Sequence, residues 1–257
     1  MEYFVIGFAA LITSGLTLFS GFGLGTLLMP AFAIFFPVEV AIALTAIVHF
    51  LNNVFKLFLV GKFTDKGVLL RFGIPAIIFS YLGAKMLLLL SGLRPVAAYE
   101  LFGNSFDATL VKVVIAVLLV MFSITELTPR LANISLKRKY LPIGGILSGF
   151  FGGLSGNQGA LRSPFLLKAG LSREGYIATG AVISCLVDVT RLSIYATHFS
   201  NAGRDENLDL LVTATASAFF GAFLGARYMK KVTMRSITIL VSIMLLGIAV
   251  GLGFGLI

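Results

Sequence analysis

The chain has 257 residues, 58% of them hydrophobic and only 12% charged, with a formal net charge of +9. This composition excludes a water-soluble globular domain and describes a polytopic membrane protein, whose basic residues hold short loops at the cytoplasmic face and do not bind nucleic acid. The one cysteine, Cys185, excludes an intrachain disulfide, and without an HExxH motif, a P-loop or a Cys/His ligand cluster neither metal nor cofactor is expected.

Residues 3 to 36 form one apolar stretch interrupted at Gly21, Gly23 and Gly25. As a single helix it would measure ~51 Å at 1.5 Å per residue, longer than a ~30 Å hydrocarbon core, so it must break or fold back. Its start, Met1-Glu2-Tyr3-Phe4, has neither the basic flank nor the cleavage site of a signal peptide and reads as mature sequence. Pro37 ends the stretch, and 38 to 60 is a spanning helix. A basic loop at 61 to 71 leads to a span at 72 to 90 with Pro75 in its first turn. A mixed loop at 91 to 108 and a span at 109 to 127 complete the first half. The linker 128 to 140 carries Arg130, Lys137, Arg138 and Lys139. The second half opens with 141 to 168, broken by the polar, glycine-rich run Ser155 to Arg162, and continues with spans at 175 to 197, 210 to 228 and 236 to 256.

The second half repeats the first. At an offset of 135, Ser20 and Gly21 fall on Ser155 and Gly156, Glu39 on Glu174, Asn53 on Asp188 and Lys56 on Arg191. At 142, Leu82-Gly83-Ala84-Lys85 falls on Leu224-Gly225-Ala226-Arg227. Glycine and charge matches in constant order indicate duplication. Placing 61 to 71 inside the cell puts Lys62, Lys66, Arg71, Arg130, Lys137, Arg138, Lys139, Lys168, Arg173, Lys230, Lys231 and Arg235 in inside loops. The arrangement requires 141 to 168 to be a hairpin that starts and ends in the cytoplasm, and, by the repeat, 3 to 36 to be a hairpin from the outside. The expected fold is therefore all-α and polytopic, with about ten membrane-embedded helical segments in two inverted repeats, 1 to 127 and 141 to 257. Each repeat is a broken-helix hairpin followed by three spanning helices. Both termini lie outside and the linker is cytoplasmic. Tyr3, Tyr99, Tyr140, Tyr176, Tyr195 and Tyr228, near segment ends, are read as interfacial rings.

The cluster Gly21-Phe22-Gly23-Leu24-Gly25, with Pro30 beyond it and an Ala/Thr-rich helix after it, appears twice in this chain. It resembles the TauE/SafE sulfite exporter family of bacterial membrane transporters, over nearly the whole chain. The second copy departs from the glycine-triplet pattern and reads Ser155-Gly156-Asn157-Gln158-Gly159-Ala160-Leu161-Arg162-Ser163-Pro164. The resemblance implies a secondary transporter, not an enzyme, of sulfite, sulfonates or related small organic anions in the bacterial inner membrane.

The motif also has a physical reading. A half-helix beginning near the midplane offers unpaired N–H groups and the positive end of its dipole to an anion, and two opposed half-helices offer two such sets. The expected substrate-binding residues are Ser20, Gly21, Gly23, Gly25, Ser155, Gly156, Asn157, Gln158, Gly159 and Arg162. Against this stands a purely structural reading, in which the glycines permit close packing and Asn157 and Gln158 cap a helix. Asp188 and Arg191, three apart on one helix face, are expected to form a structural ion pair and His49 to be a satisfied core residue; the alternative makes His49, Asn53, Asp188 and Arg191 coupling or gating residues, with protons as the coupling ion. Lys56, Lys85 and Arg227 are expected to snorkel to headgroups, and Thr45 and Thr179 to bond their own helix backbones. Two rival functions remain open. An anion channel could use the same half-helices, and Gly153-Leu154-Ser155-Gly156 with His198 matches the GxSG of an intramembrane serine protease.

Overall fold

The structure is a computed structural model that describes residues 2–20, 24–101, 104–128, 135–197, 208–228 and 234–256. Among them are ten α-helices: α1 (Glu2–Ser20), α2 (Leu24–Ala33), α3 (Val38–Val60), α4 (Lys66–Ser91) and α5 (Leu110–Leu127), then α6 (Leu141–Ser155), α7 (Gln158–Leu166), α8 (Arg173–Ala196), α9 (Leu208–Tyr228) and α10 (Met234–Gly253). Five segments among the described residues are long and apolar enough to cross a membrane: Val38–Phe63, Lys66–Ser91, Leu110–Leu127, Arg173–Ala196 and Leu208–Gly225. Large apolar side chains such as Phe4, Phe58 and Leu89 face outward, as a lipid-facing surface requires.

Local chemistry sets the helix ends. Asp65 caps α4 by accepting from Val68 N at 2.7 Å, and Ser172 caps α8 by accepting from Gly175 N at 3.0 Å. The Asp65 cap corrects the sequence expectation for this region. The loop shrinks to 61–65, closed by a 3-10 turn at Gly61–Phe63, and Pro75 lies well inside α4 instead of in its first turn. A second correction concerns 91 to 108, which is no simple loop. Strands β1 (Ala97–Leu101) and β2 (Asn104–Ala108) pair antiparallel, Ala97 opposite Ala108 and Tyr99 opposite Phe106, so the chain is not purely α.

Helices α4 and α6 pack backbone against backbone, and the reason is absent side chains. A Cβ added at Gly145, Gly149 or Gly153 would sit 2.2, 2.3 or 2.1 Å from the carbonyl oxygens of Phe72, Ala76 and Ser80. Both rows advance by four residues in the same direction, so the two helices run parallel, with small-residue packing of the kind used between membrane helices. Helix α1 meets α9 similarly: a Cβ at Gly221 would lie 2.1 Å from Leu11 O and one at Gly225 2.6 Å from Gly15 O. The remaining major contacts between the two halves pair α3 with α8, α5 with α10, α4 with α8 and α3 with α9. Exchanging α1 to α5 for α6 to α10 leaves this set of pairs unchanged.

Contacts also sort the loops to the two ends of the bundle. Arg138 of the linker lies 3.6 Å from Asp65, Asp65 N donates to Thr179 Oγ1 near the start of α8, and Leu136 N donates to Pro164 O near the end of α7. The 61–65 loop, the linker and both outer ends of the α6–α7 pair therefore share one end. At the other, the Tyr99 hydroxyl of the hairpin donates to Phe254 O beyond α10.

Candidate functional site

The two interrupted helices meet. Helix α6 stops at Ser155 because Gly156 adopts φ 81°, a left-handed conformation that a side chain would strain. A Cβ there would also lie 2.9 Å from Arg191 Nη1, so the bare backbone makes room for a guanidinium. From the other interrupted pair, Gly25 near the start of α2 approaches the same turn, and its Cβ position is 3.0 Å from Gly156 O. Helix α7 restarts at Gln158, held by Ser148 Oγ donating to Gln158 O at 2.9 Å.

Around this crossing lies a cluster of buried polar side chains. Asp188 and Arg191, one turn apart on α8, are both fully buried. Asp188 Oδ1 accepts from Arg191 Nε at 2.9 Å and from Gln158 Nε2 at 3.3 Å, and lies 2.8 Å from Arg191 Nη2 as an ion pair. Its Oδ2 lies 2.6 Å from Nδ1 of His49 on α3. Asn53, one turn along, donates to His49 O at 2.9 Å and approaches the ring Nε2 at 3.2 Å. With its proton on Nδ1, His49 thus donates to Asp188 and can accept from Asn53. One carboxylate joins side chains from α3, α7 and α8. The ion pair expected from the spacing of Asp188 and Arg191 is present, and it is one edge of a larger network. That network unites residues the sequence reading had divided between substrate binding and coupling.

Several buried polar atoms in this region have no partner among the described residues: both Asn157 side-chain atoms, Gln158 Oε1 and Thr45 Oγ1. Asn157 occupies the N-cap position of α7 but makes no side-chain cap, so capping does not account for it. Groups of this kind are costly to bury unsatisfied. Thr45 belongs with them because its Cγ2 is 3.7 Å from the Cβ position at Gly25. Neither Thr45 nor Thr179 bonds its own helix backbone as expected; Thr179 instead accepts from Asp65 N.

Arg162 lies half-buried one turn along α7 and turns toward α8, where Nη1 donates to Gly180 O at 2.9 Å and to Ser184 Oγ. Gly159 O accepts from Ser163 Oγ at 3.0 Å. Ser155 Oγ donates to Phe151 O at 2.9 Å, and no histidine bonds it among the described residues. Gly21, Gly23, the Ser20 side chain and His198 lie outside the described residues.

Two expectations from sequence are overturned. Lys56 does not snorkel: it is 7% exposed and makes no ion pair among the described residues. The 61–65 turn folds back over the start of α8, with Phe63 O only 3.3 Å from the Cβ position of Gly175, so the face of α3 that carries Lys56 is turned toward α8. Lys85, by contrast, is exposed as expected. Tyr195 is no interfacial ring: it is 2% exposed and its hydroxyl donates to Gly153 O, tying α8 to α6. The repeat held a signal for Lys56, since its partner position is Arg191. Among the described residues no group of three His, Cys, Asp or Glu could hold a metal ion. Lys56, Arg162 and Arg191 against the single carboxylate of Asp188 make the cluster cationic, which suits an anion.

Buried polar groups gathered where two interrupted helices approach each other, in a many-helix membrane protein, fit the class of helical membrane transporters. The sequence matches the family Sulfite exporter TauE/SafE over residues 3–252, and the chain belongs to that family of sulfur-anion transporters, not of enzymes. No curated protein and no solved structure matches the chain.

Proposed function

We propose that the chain is a secondary transporter of a small anion, namely sulfite, a sulfonate or a related organic anion, in the bacterial inner membrane. One observation carries this reading: buried, unpartnered hydrogen-bonding atoms of Thr45, Asn157 and Gln158 stand beside a cationic cluster where the starts of α2 and α7 approach each other. A bound oxyanion would accept from the Asn157 amide, the Thr45 hydroxyl and the free N–H groups at the start of α7. Arg191 and Arg162 would supply compensating charge.

Alternating access between two inverted repeats is the mechanism this reading favours. It is supported by the exchangeable set of helix pairs and by the parallel packing of α6 on α4 and of α1 on α9. The shared end of the 61–65 loop, the linker and the α6–α7 pair supports a cytoplasmic linker, with both chain termini on the outside. Protons are the coupling ion in this reading. The contact between His49 and Asp188 offers a place for one, because an anion arriving beside Arg191 competes with Asp188 and leaves the carboxylate to take up a proton.

Reconstituted protein in liposomes tests the proposal. Sulfite or a sulfonate should accumulate against its gradient when a pH gradient is imposed, and a protonophore should collapse the accumulation. Current that follows the electrochemical gradient without coupling would make the protein a channel. Unchanged flux in a correctly inserted Gln158→Ala, Arg162→Ala double variant would overturn the site.

A further inference from the structure

We propose that the site selects a guest bearing two negative charges, and that Lys56 is the residue that sets this preference; the inference rests on reading the cluster as an anion site. The argument is a charge count. Lys56 is 7% exposed and forms no ion pair among the described residues, and a lone ammonium in such a setting needs a partner. Arg162 bonds only neutral acceptors, the carbonyl of Gly180 and the hydroxyl of Ser184. Arg191 is paired with Asp188, the one carboxylate hydrogen-bonded within the cluster among the described residues. With His49 neutral, two positive charges are left without a counter-charge from the protein.

The two converge on one stretch of α8. His49 of α3 meets Asp188 and Phe63 beyond α3 meets Gly175, so α3 and α8 run antiparallel and Lys56 falls opposite the stretch from Gly180 to Ser184, where Arg162 of α7 donates. Asn157 and Gln158, with buried side-chain atoms unpartnered among the described residues, lie about one turn before Arg162 at the start of α7. A monoanion would leave one ammonium or guanidinium uncompensated, whereas a dianion neutralises both. Lysine suits this part because it acts as a compact point charge, while Arg162 keeps its fork fixed against α8.

The test is equilibrium binding by calorimetry on the purified full chain in detergent, at neutral pH. The probes are sulfate and methanesulfonate, which share a tetrahedral shape and differ by one charge. Wild type should bind sulfate at least about tenfold more tightly than methanesulfonate. Lys56→Gln should bring the two within roughly threefold by weakening sulfate alone, and Lys56→Arg should retain the preference. If methanesulfonate binds wild type as well as sulfate does, the inference falls while the anion-site reading stands. If Lys56→Gln weakens both probes equally at an unchanged unfolding temperature, Lys56 is not the selector and the inference falls again. If wild type binds sulfate, methanesulfonate and sulfite not at all, the anion-site reading fails and takes the inference with it. The wild-type comparison needs no variant, so a Lys56 variant that does not fold leaves the first outcome decisive.

Discussion

The second interruption, at Gly156 to Gln158, is furnished with side chains, whereas the one described residue of the first motif at the crossing, Gly25, brings only backbone. The helices that follow differ in the same sense. Helix α3 supplies His49, Asn53 and Lys56, while α8 supplies the tightly paired Asp188 and Arg191. The difference teaches that two halves can divide labour: among the described residues, Gly25 of the first half shapes the crossing and the second half holds most of the charge network that gives it chemical identity.

The largest expected effect tests what the halves share. Gly149→Leu would drive a side chain into Ala76 O, and Gly221→Leu would do the same at Leu11 O. Each should cost more than roughly 4 kcal/mol and abolish a monodisperse peak in detergent size-exclusion chromatography. If one is tolerated, the two packing pairs are not equivalent. Next in size, Asp188→Asn removes the counter-charge of buried Arg191 and should lower stability by about 3–5 kcal/mol and stop flux. Asn53→Ala, at the matching position of the other half, loses hydrogen bonds to His49 only and should lower it by about 1 kcal/mol. Thermal unfolding in detergent separates these two.

Smaller again, Gln158→Ala should reduce liposome flux by roughly tenfold, equivalent to about 1.4 kcal/mol, with little change in unfolding temperature. Gly25→Ala should instead shift stability by about 1 kcal/mol, since its methyl would sit 3.0 Å from Gly156 O and force a small adjustment. Equal flux loss in both variants would mean that the two interruptions contribute alike. The smallest effect is expected from Tyr195→Phe, which frees Gly153 O and should lower the unfolding midpoint by the equivalent of about 1 kcal/mol while leaving substrate preference intact.

Much of the bundle was legible because hydropathy and helix length are coarse signals. The α3 span matches its expected bounds at both ends, and the interruption after Ser155 falls where the glycines and polar residues marked it. Rotation about a helix axis was not legible. Lys56 and Tyr195 sit near segment ends, where position along the axis suggests headgroups, yet both face neighbouring helices. Apolar residues surround these helices on all sides, so periodicity could not choose the buried face. The β-hairpin was hidden differently: Tyr99, Leu101 and Phe106 alternate with polar residues, but Glu100, Asn104 and Asp107 made the segment read as loop. Nor did spacing reveal that His49 and Gln158 meet at Asp188, since that contact depends on three helices from both halves.

The glycine-faced helix α6 has its closest partner, α4, on the far side of the linker, and α1 has its own in α9. Neither half of the chain is therefore complete in itself. During synthesis α4 reaches the bilayer with its carbonyl row uncovered and must wait for α6, while α1 waits longer still for the second-last helix. A chain severed within the linker should leave two fragments that are degraded when made singly and rescue each other when made together.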